Sequence, residues 1–374
     1  MTHPHALRAT GDGNDLDELK RFVVAHALSQ GLPADHHAPV LDRITTDTGD
    51  APGSWAYEWI RAGDERDAVG ATLAASQYYV MGRFPYVDGP GRARALHRAV
   101  DAFDRWRTTE PTGIEAETVD VDGVPVRIWT AGLSAQDPRP LLVVTGGIVS
   151  PKEQWGVLLP QITALGLAGA VAELPGVGEN PLRYARDSTR LFTALLDALA
   201  GRADVTRTYL LALSFSGHLA IRAALTDARI RGIVGNGPPI HDFFTDATWQ
   251  RGLPAVTRNT LAHLVGVPPK DVHAHLHDWA LSDDELRALD VPLAAVTALR
   301  DEIVPPGDPD RLQRHVTDLR LLEHDDVHGA PRHLAETKAW SLLALQRMRP
   351  DADPAVTERL VAAVAAARRP GPTP

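Results

Sequence analysis

Residues 210–220 read LLALSFSGHLA. An apolar run from Leu210 to Leu213 meets Ser214, Phe215, Ser216 and Gly217, and then residues that suit a helix. A strand that turns abruptly into a helix presents its turn residue, strained and exposed, at the top of a sheet, and the residues two positions to either side must be small. Here those residues are Ala212 and Ser216, with Gly217 behind them. Ser214 is therefore the candidate nucleophile. The plainer alternative is a serine that ends a strand or caps the next helix. Ser216 is the weaker candidate, since Ser214 and His218 would flank it. Against the usual G-x-S-x-G the stretch reads A-x-S-x-S-G, which is only moderately specific on its own.

Outward from this point the texture is α/β. LLVVTGG (141–147), AGAVAELPG (168–176), TYLLAL (208–213), IRGIVGNG (230–237), LAAVTAL (293–299) and DLRLLEH (318–324) read as short buried strands. Helical stretches intervene from about Lys152, across Arg186 to Leu199, from Ser216 to Thr226 and over about 334–348. EAETVDVDGVPVRIW (115–129) alternates polar and apolar residues around Asp122-Gly123, as two half-buried strands of a hairpin do. Strands alternating with helices predict a mostly parallel, doubly wound sheet covered on both faces.

Before residue 113 the pattern differs. From Asp15 to about Arg107 apolar residues recur at three-to-four spacing, broken at Gly31-Leu32-Pro33, Ala51-Pro52-Gly53 and Asp88-Gly89-Pro90. We therefore expect an N-terminal cap of three to five helices over 1–112 and a catalytic α/β unit over 113–350. A last helix from Pro354 to Arg368 and a disordered tail, RRPGPTP, complete 351–374.

Composition narrows the function. With 374 residues and 44% hydrophobic content the chain can bury a large core. Its 38 Lys and Arg against 48 Asp and Glu give a net charge of -10, which repels phosphate backbones and anionic lipid. The absence of cysteine excludes disulfides, thiolate zinc sites and a Cys nucleophile. No run approaches the ~18 apolar residues of a membrane span, and the first twenty residues lack an export signal's basic and apolar segments. The expected partner is a small-molecule substrate, without nucleic acid or membrane, in a cytoplasmic protein that could form a homodimer.

A serine nucleophile needs a base and an orienting acid, in the chain order Ser, acid, His for this architecture. LAAVTALRDEIVPP places Asp301 just past a strand, with the Pro305 and Pro306 rings stiffening the loop. DLRLLEHDDVHGAPRH places His328 after the last strand, with Gly329 allowing a tight turn. Glu302 or Asp308 could replace the acid, and His324 or His333 the base. An oxyanion needs two backbone N–H donors. Phe215, next to the nucleophile, offers one, and the Gly146-Gly147-Ile148 loop offers the other through Gly147 or Ile148.

Several signals have simpler explanations. Gly176-Val177-Gly178 lacks a third glycine at dinucleotide spacing. His273 and His277 lie four apart on a predicted helix, but without a third ligand a solvated helix face explains them, and no metal is expected. No cofactor is required either. Tyr78, Tyr79, Arg83 and Phe84 of the cap could line a substrate pocket, although such spacing also suits a cap core. Trp155, Asp242 and Asp246 follow strand ends and could touch substrate.

The helical SQYYVMGRFPYVDGPGRARALHRAVDAF, the GGIVSPKEQW loop, the ELPGVGEN turn, ALSFSG, the RDEIVPP loop and the DDVHG loop together resemble the FrsA-like α/β hydrolases. That family includes the 2,6-dihydropseudooxynicotine hydrolase and fungal polyketide-shortening hydrolases. The likeness spans about residues 15–348. It implies an α/β-hydrolase core with an N-terminal helical cap and a Ser-Asp-His triad, which falls on Ser214, Asp301 and His328. It also implies cleavage of a carbon–carbon bond beside a carbonyl, as in a β-diketone, or of an ester, in a polyketide-like or aromatic metabolite. Family members more usually carry Gly where this chain has Ala212 and Ser216. Two rivals stand beside hydrolysis: a lyase, dehydratase or cyclase on the same scaffold, and a non-catalytic binding protein.

Overall fold

The computed structural model of the chain describes residues 14–368. The tail residues 369–374 therefore lie outside the described part. Five helices come first: α1 (Leu16–Ser29), α2 (Ala34–Arg43), α3 (Trp55–Asp67), α4 (Thr72–Arg83) and α5 (Pro90–Thr109). Asp15 caps α1 by accepting from the Glu18 N–H at 2.8 Å. α2 is not legible as a helix in the sequence because Pro39 lies inside it. The stretch 54–84 forms two helices, α3 and α4, and these pack on α5 around Trp55, Trp59, Tyr78, Tyr79 and Phe84. The Trp55 indole N–H closes that core by donating to the Met81 carbonyl at 2.9 Å.

Eight strands follow: β1 (Glu115–Val121), β2 (Val124–Ala131), β3 (Pro140–Thr145), β4 (Ala168–Ala172), β5 (Asp204–Leu213), β6 (Ile230–Asn236), β7 (Leu293–Ala298) and β8 (Leu319–His324). They form one sheet in the order β1-β2-β4-β3-β5-β6-β7-β8. β1 and β2 are the expected hairpin, turned at Asp122 and Gly123, both with positive φ. β2 meets β4 antiparallel, and every pairing from β4 to β8 is parallel. Along β3 the side chains alternate between two layers. Leu141 and Val143 join the helices Arg190–Leu199 and Phe215–Ala224, while Leu142 and Val144 join Leu159–Ala164 and Leu334–Met348. A strand covered on both faces is buried along its whole length and largely apolar, as β3 and β4 are.

The cap packs on the α/β unit at several places. Phe103 of α5 packs on Trp129 of β2 with ring centroids 5.1 Å apart. On the other side a helical insertion between β6 and β7 contributes the helix Ala255–Val265, whose Val256 enters the cap core. Glu18 of α1 accepts the Val256 N–H at 2.5 Å, and Asn259 donates to Asn14 at 3.1 Å. No helix among the described residues is long and apolar enough to cross a membrane.

Candidate active site

Ser214 follows β5 and precedes the helix Phe215–Ala224 with φ 56° and ψ -125°, a strained conformation for a residue with a side chain. The turn is tight because several backbones meet there. The Ser214 N–H donates to the Asn236 carbonyl at 2.7 Å, and a Cβ on Gly217 would lie 2.8 Å from Cβ of Pro238. Ser216, at a usual glycine position, fits because its buried hydroxyl lies 3.0 Å from the Thr145 carbonyl and 2.9 Å from that of Leu213.

The loops after β7 and β8 bring the other two groups to this turn. His328 Nε2 lies 3.0 Å from Ser214 Oγ, and His328 Nδ1 lies 3.0 and 2.8 Å from the two oxygens of Asp301. Asp301 Oδ1 also accepts the N–H groups of Ile303 and Val304 at 2.9 and 2.8 Å, which fixes the carboxylate's rotamer. The backbone N–H of His328 donates to Glu302 Oε2 at 3.0 Å. Burial works against a charged imidazole at 328. The Asp301 carboxylate, its hydrogen bond and the Glu302 charge outweigh that, so the His328 pKa lies above the ordinary 6.5. Of the alternatives, Asp308 is spent on the N–H groups of Ile240, His241 and Asp242, and His324 stacks on His333 away from the serine.

Beside the serine runs the loop after β3. A Cβ on Gly147 would stand 3.2 Å from Cβ of Ser214, so main chain passes directly against that side chain. Phe215 opens its helix, and its N–H has no intrahelical acceptor. The candidate donors Gly147, Ile148 and Phe215 thus share the walls of one cavity with Ser214 and His328.

That cavity holds about 800 Å³ and is predominantly apolar. α1 forms its roof through Phe22, Ala25 and His26, the insertion adds Val256, and the loop after β8 adds Val327 and Pro331. Trp155 lines it, with its indole N–H buried beside Gly146 and without an acceptor among the described residues. Other expected contacts lie elsewhere. Tyr79 faces the cap core and donates to Asp64 at 2.7 Å, because this face of α4 turns toward α3. Asp242 pairs with Arg311 at 3.3 Å at the far end of the loop after β6. Arg83 is buried behind the loop after β3, where it donates to the carbonyls of Pro85 and Val149. Asp246 caps the helix Ala247–Gly252.

His26 is a titratable cavity-lining residue that the sequence does not yield. It sits on α1 in an ordinary amphipathic stretch, VVAHALS, and only the docking of the cap turns it toward the serine. One group among the described residues has metal-ligand atoms close together: those of His324, His333 and Glu336 lie within 4.8 Å of one another. The two rings stack at 4.2 Å with a 12° interplanar angle. Their in-plane lone pairs therefore run side by side instead of converging on a tetrahedral centre.

Comparison with known proteins agrees with this architecture. The family described as "Esterase FrsA-like" matches residues 25–322. Esterase FrsA of Photobacterium profundum is 25% identical over 315 residues, 77% of this chain and 74% of its own. Esterase FrsA of Vibrio cholerae serotype O1 is 25% identical over 321 residues, 78% and 75% of the two chains. Among solved structures, wild-type AbyA5 is 51% identical with a TM-score of 0.90, covering 94% of this chain and 99% of that one. The 2,6-dihydroxy-pseudo-oxynicotine hydrolase, at 20% identity and TM-score 0.69, covers 88% and 97% and shares the fold. With a matching family profile over most of its length and the α/β-hydrolase sheet beneath a helical cap, the chain belongs to the FrsA-like esterase family and is an α/β-hydrolase enzyme.

Proposed function

We propose that the enzyme is a serine hydrolase acting through Ser214, His328 and Asp301 on a small, largely apolar substrate, by cleaving an ester or a carbon–carbon bond beside a carbonyl. The single observation that carries this reading is the unbroken relay from Asp301 through His328 to Ser214, with contacts of 2.8 and 3.0 Å. His328 takes the Ser214 proton as the oxygen adds to the substrate carbonyl, and Asp301 holds the resulting imidazolium. The N–H groups of Phe215 and of Ile148 or Gly147 receive the oxyanion. Collapse of the tetrahedral adduct breaks the bond to the leaving group, whose electron pair ends on an alkoxide oxygen or on an enolate. The imidazolium returns its proton to that group. Water, deprotonated by His328, then releases the acyl half as a carboxylic acid and regenerates Ser214. These steps consume one water and need no cofactor.

An apolar cavity of this size suits an aromatic or polyketide-like molecule with few polar atoms. The test has two parts. A fluorophosphonate is expected to label Ser214, located by mass spectrometry, and to leave Ser214→Ala unmodified. Turnover of a panel of esters and 1,3-diketones in ¹⁸O-labelled water is expected to place the label in a new carboxylate. Product without solvent oxygen would instead mean a lyase or cyclase on the same residues.

A further inference from the structure

Helix α1 brings into the cavity an imidazole that the steps above leave unused. His26 lines the cavity together with Ser214 and His328, and its ring packs on Phe84 with centroids 5.3 Å apart. A chain of hydrogen bonds favours one tautomer. The Ser29 hydroxyl donates to the His26 carbonyl at 2.8 Å, so the Ser29 oxygen is left to accept from Gln154 Nε2 at 3.0 Å. The same amide group faces His26 Nδ1 in a longer contact of 3.5 Å. A ring nitrogen facing an N–H donor carries the lone pair, which puts the proton on Nε2.

The surroundings also keep this ring neutral. Burial, the Arg83 guanidinium and His328 all disfavour a charge there and draw its pKa down to about 4. Arg83 cannot move aside, because it is held by the Pro85 and Val149 carbonyls. His26 thus offers the cavity one N–H donor with no acceptor for it among the described residues. A fixed donor in an apolar enclosure costs the protein stability unless a ligand oxygen meets it.

We infer that His26 is a substrate-binding residue whose Nε2–H donates to a second substrate oxygen, distinct from the oxygen held by Phe215 and the Gly147-Ile148 loop. The inference rests on the acyl-transfer reading of Ser214 and narrows its substrate class. The preferred substrate carries a carbonyl acceptor on the half that leaves, as a 1,3-dicarbonyl does. When the bond between the attacked carbonyl carbon and the central carbon breaks, its electron pair is delocalised onto the second oxygen as an enolate. His26 holds that oxygen until the imidazolium of His328 protonates the central carbon. A neutral imidazole suits this task, since it strengthens its hydrogen bond as charge develops and gives up no proton.

The test compares wild type with His26→Phe, which keeps an aromatic ring without the donor, and His26→Gln, which keeps an N–H. The substrates are a 1-aryl-1,3-butanedione and an aryl acetate, with fluorophosphonate labelling of Ser214 in each protein. Labelling is expected in all three proteins. In His26→Phe the diketone-to-ester ratio of kcat/KM is expected to fall at least about tenfold, within the ~10²-fold associated with losing one transition-state donor. His26→Gln recovers part of the ratio. In ¹⁵N-resolved NMR at pH 7, His26 is expected as the Nε2–H tautomer. An unchanged ratio in labelled variants, an Nδ1–H tautomer or a labelled wild type that neither binds nor cleaves the diketone overturns the inference alone. A wild-type Ser214 that takes no label overturns the acyl-transfer reading, and this inference with it.

Discussion

The imidazole of His328 rests on the bare Cα of Gly237: a Cβ there would lie 2.6 Å from His328 Cε1 and 3.1 Å from Nδ1. Gly237 also has φ 63°, which disfavours any side chain. Gly237→Ala is therefore expected to push the ring off its contacts with Ser214 and Asp301. A displacement near 1 Å can cost ~10²-fold in kcat. Steady-state kinetics beside a thermal melt check this, and a melt lowered with kcat intact would count against it.

Asp301→Asn keeps an oxygen for the Ile303 and Val304 N–H groups but loses the negative charge that favours Nδ1–H on His328. A fall in kcat of ~10⁴-fold is expected, as for a triad with the wrong histidine tautomer. The protein should remain folded by circular dichroism.

His328 must be neutral to accept the Ser214 proton, so kcat/KM is expected to fall as pH drops through its pKa. Because that pKa is raised, the acid limb should have its midpoint above 6.5. The Glu302 charge is one of the raising causes, and Glu302→Gln should move the midpoint to lower pH. The stability sign follows the same shift. A raised histidine stabilises the fold fully below the unfolded value of 6.5, and that contribution disappears as pH rises through the folded pKa. A pH series of kcat/KM for both proteins measures the limb directly.

Beneath the loop after β3, Lys152 contacts Glu153, Glu179 and Glu173 at 3.0, 2.7 and 3.6 Å, with Lys152, Glu153 and Glu173 fully buried. Lys152→Met leaves these carboxylates without their cation and is expected to cost about 3–5 kcal/mol. Burial already pushes the Glu173 carboxyl up from 4.5 to about 7 against the pull of Lys152. Without Lys152 this carboxyl resists ionisation further, so the variant's deficit relative to wild type should grow as pH rises above about 7, where the wild-type Glu173 ionises. Denaturant melts at two pH values give both quantities.

At the serine turn, the close approach usually assigned to the second motif glycine falls one residue later in this chain. Gly217→Ala drives a methyl toward Pro238 and should destabilise more than Ser216→Gly, which forfeits one buried hydroxyl worth about 1 kcal/mol. Paired thermal melts compare them.

Ser214, Asp301 and His328 are legible in the sequence because parallel strands deliver their C-terminal loops to one edge, so a strand-end position is already a spatial statement. The strands themselves are legible through their unbroken apolar runs, as in β3. Tyr79 and Arg83 lie away from the cavity because periodicity tells which residues share a helix face, and not whether that face meets a cavity or another helix. Pro39 hides α2. His26 needs the docking of α1 over the sheet, an arrangement set by contacts such as Glu18 with Val256 that join residues 238 positions apart.

Arg83 makes one mechanical unit of the roof and the floor. Its guanidinium, rooted in α4, grips the Val149 carbonyl, one residue beyond the Gly147-Ile148 main chain beside Ser214. Cutting the chain back to its sheet would therefore not yield a smaller esterase with an open mouth. It would release the strand-end loop from the only guanidinium that anchors that carbonyl among the described residues, so that enclosure and chemistry would fail together.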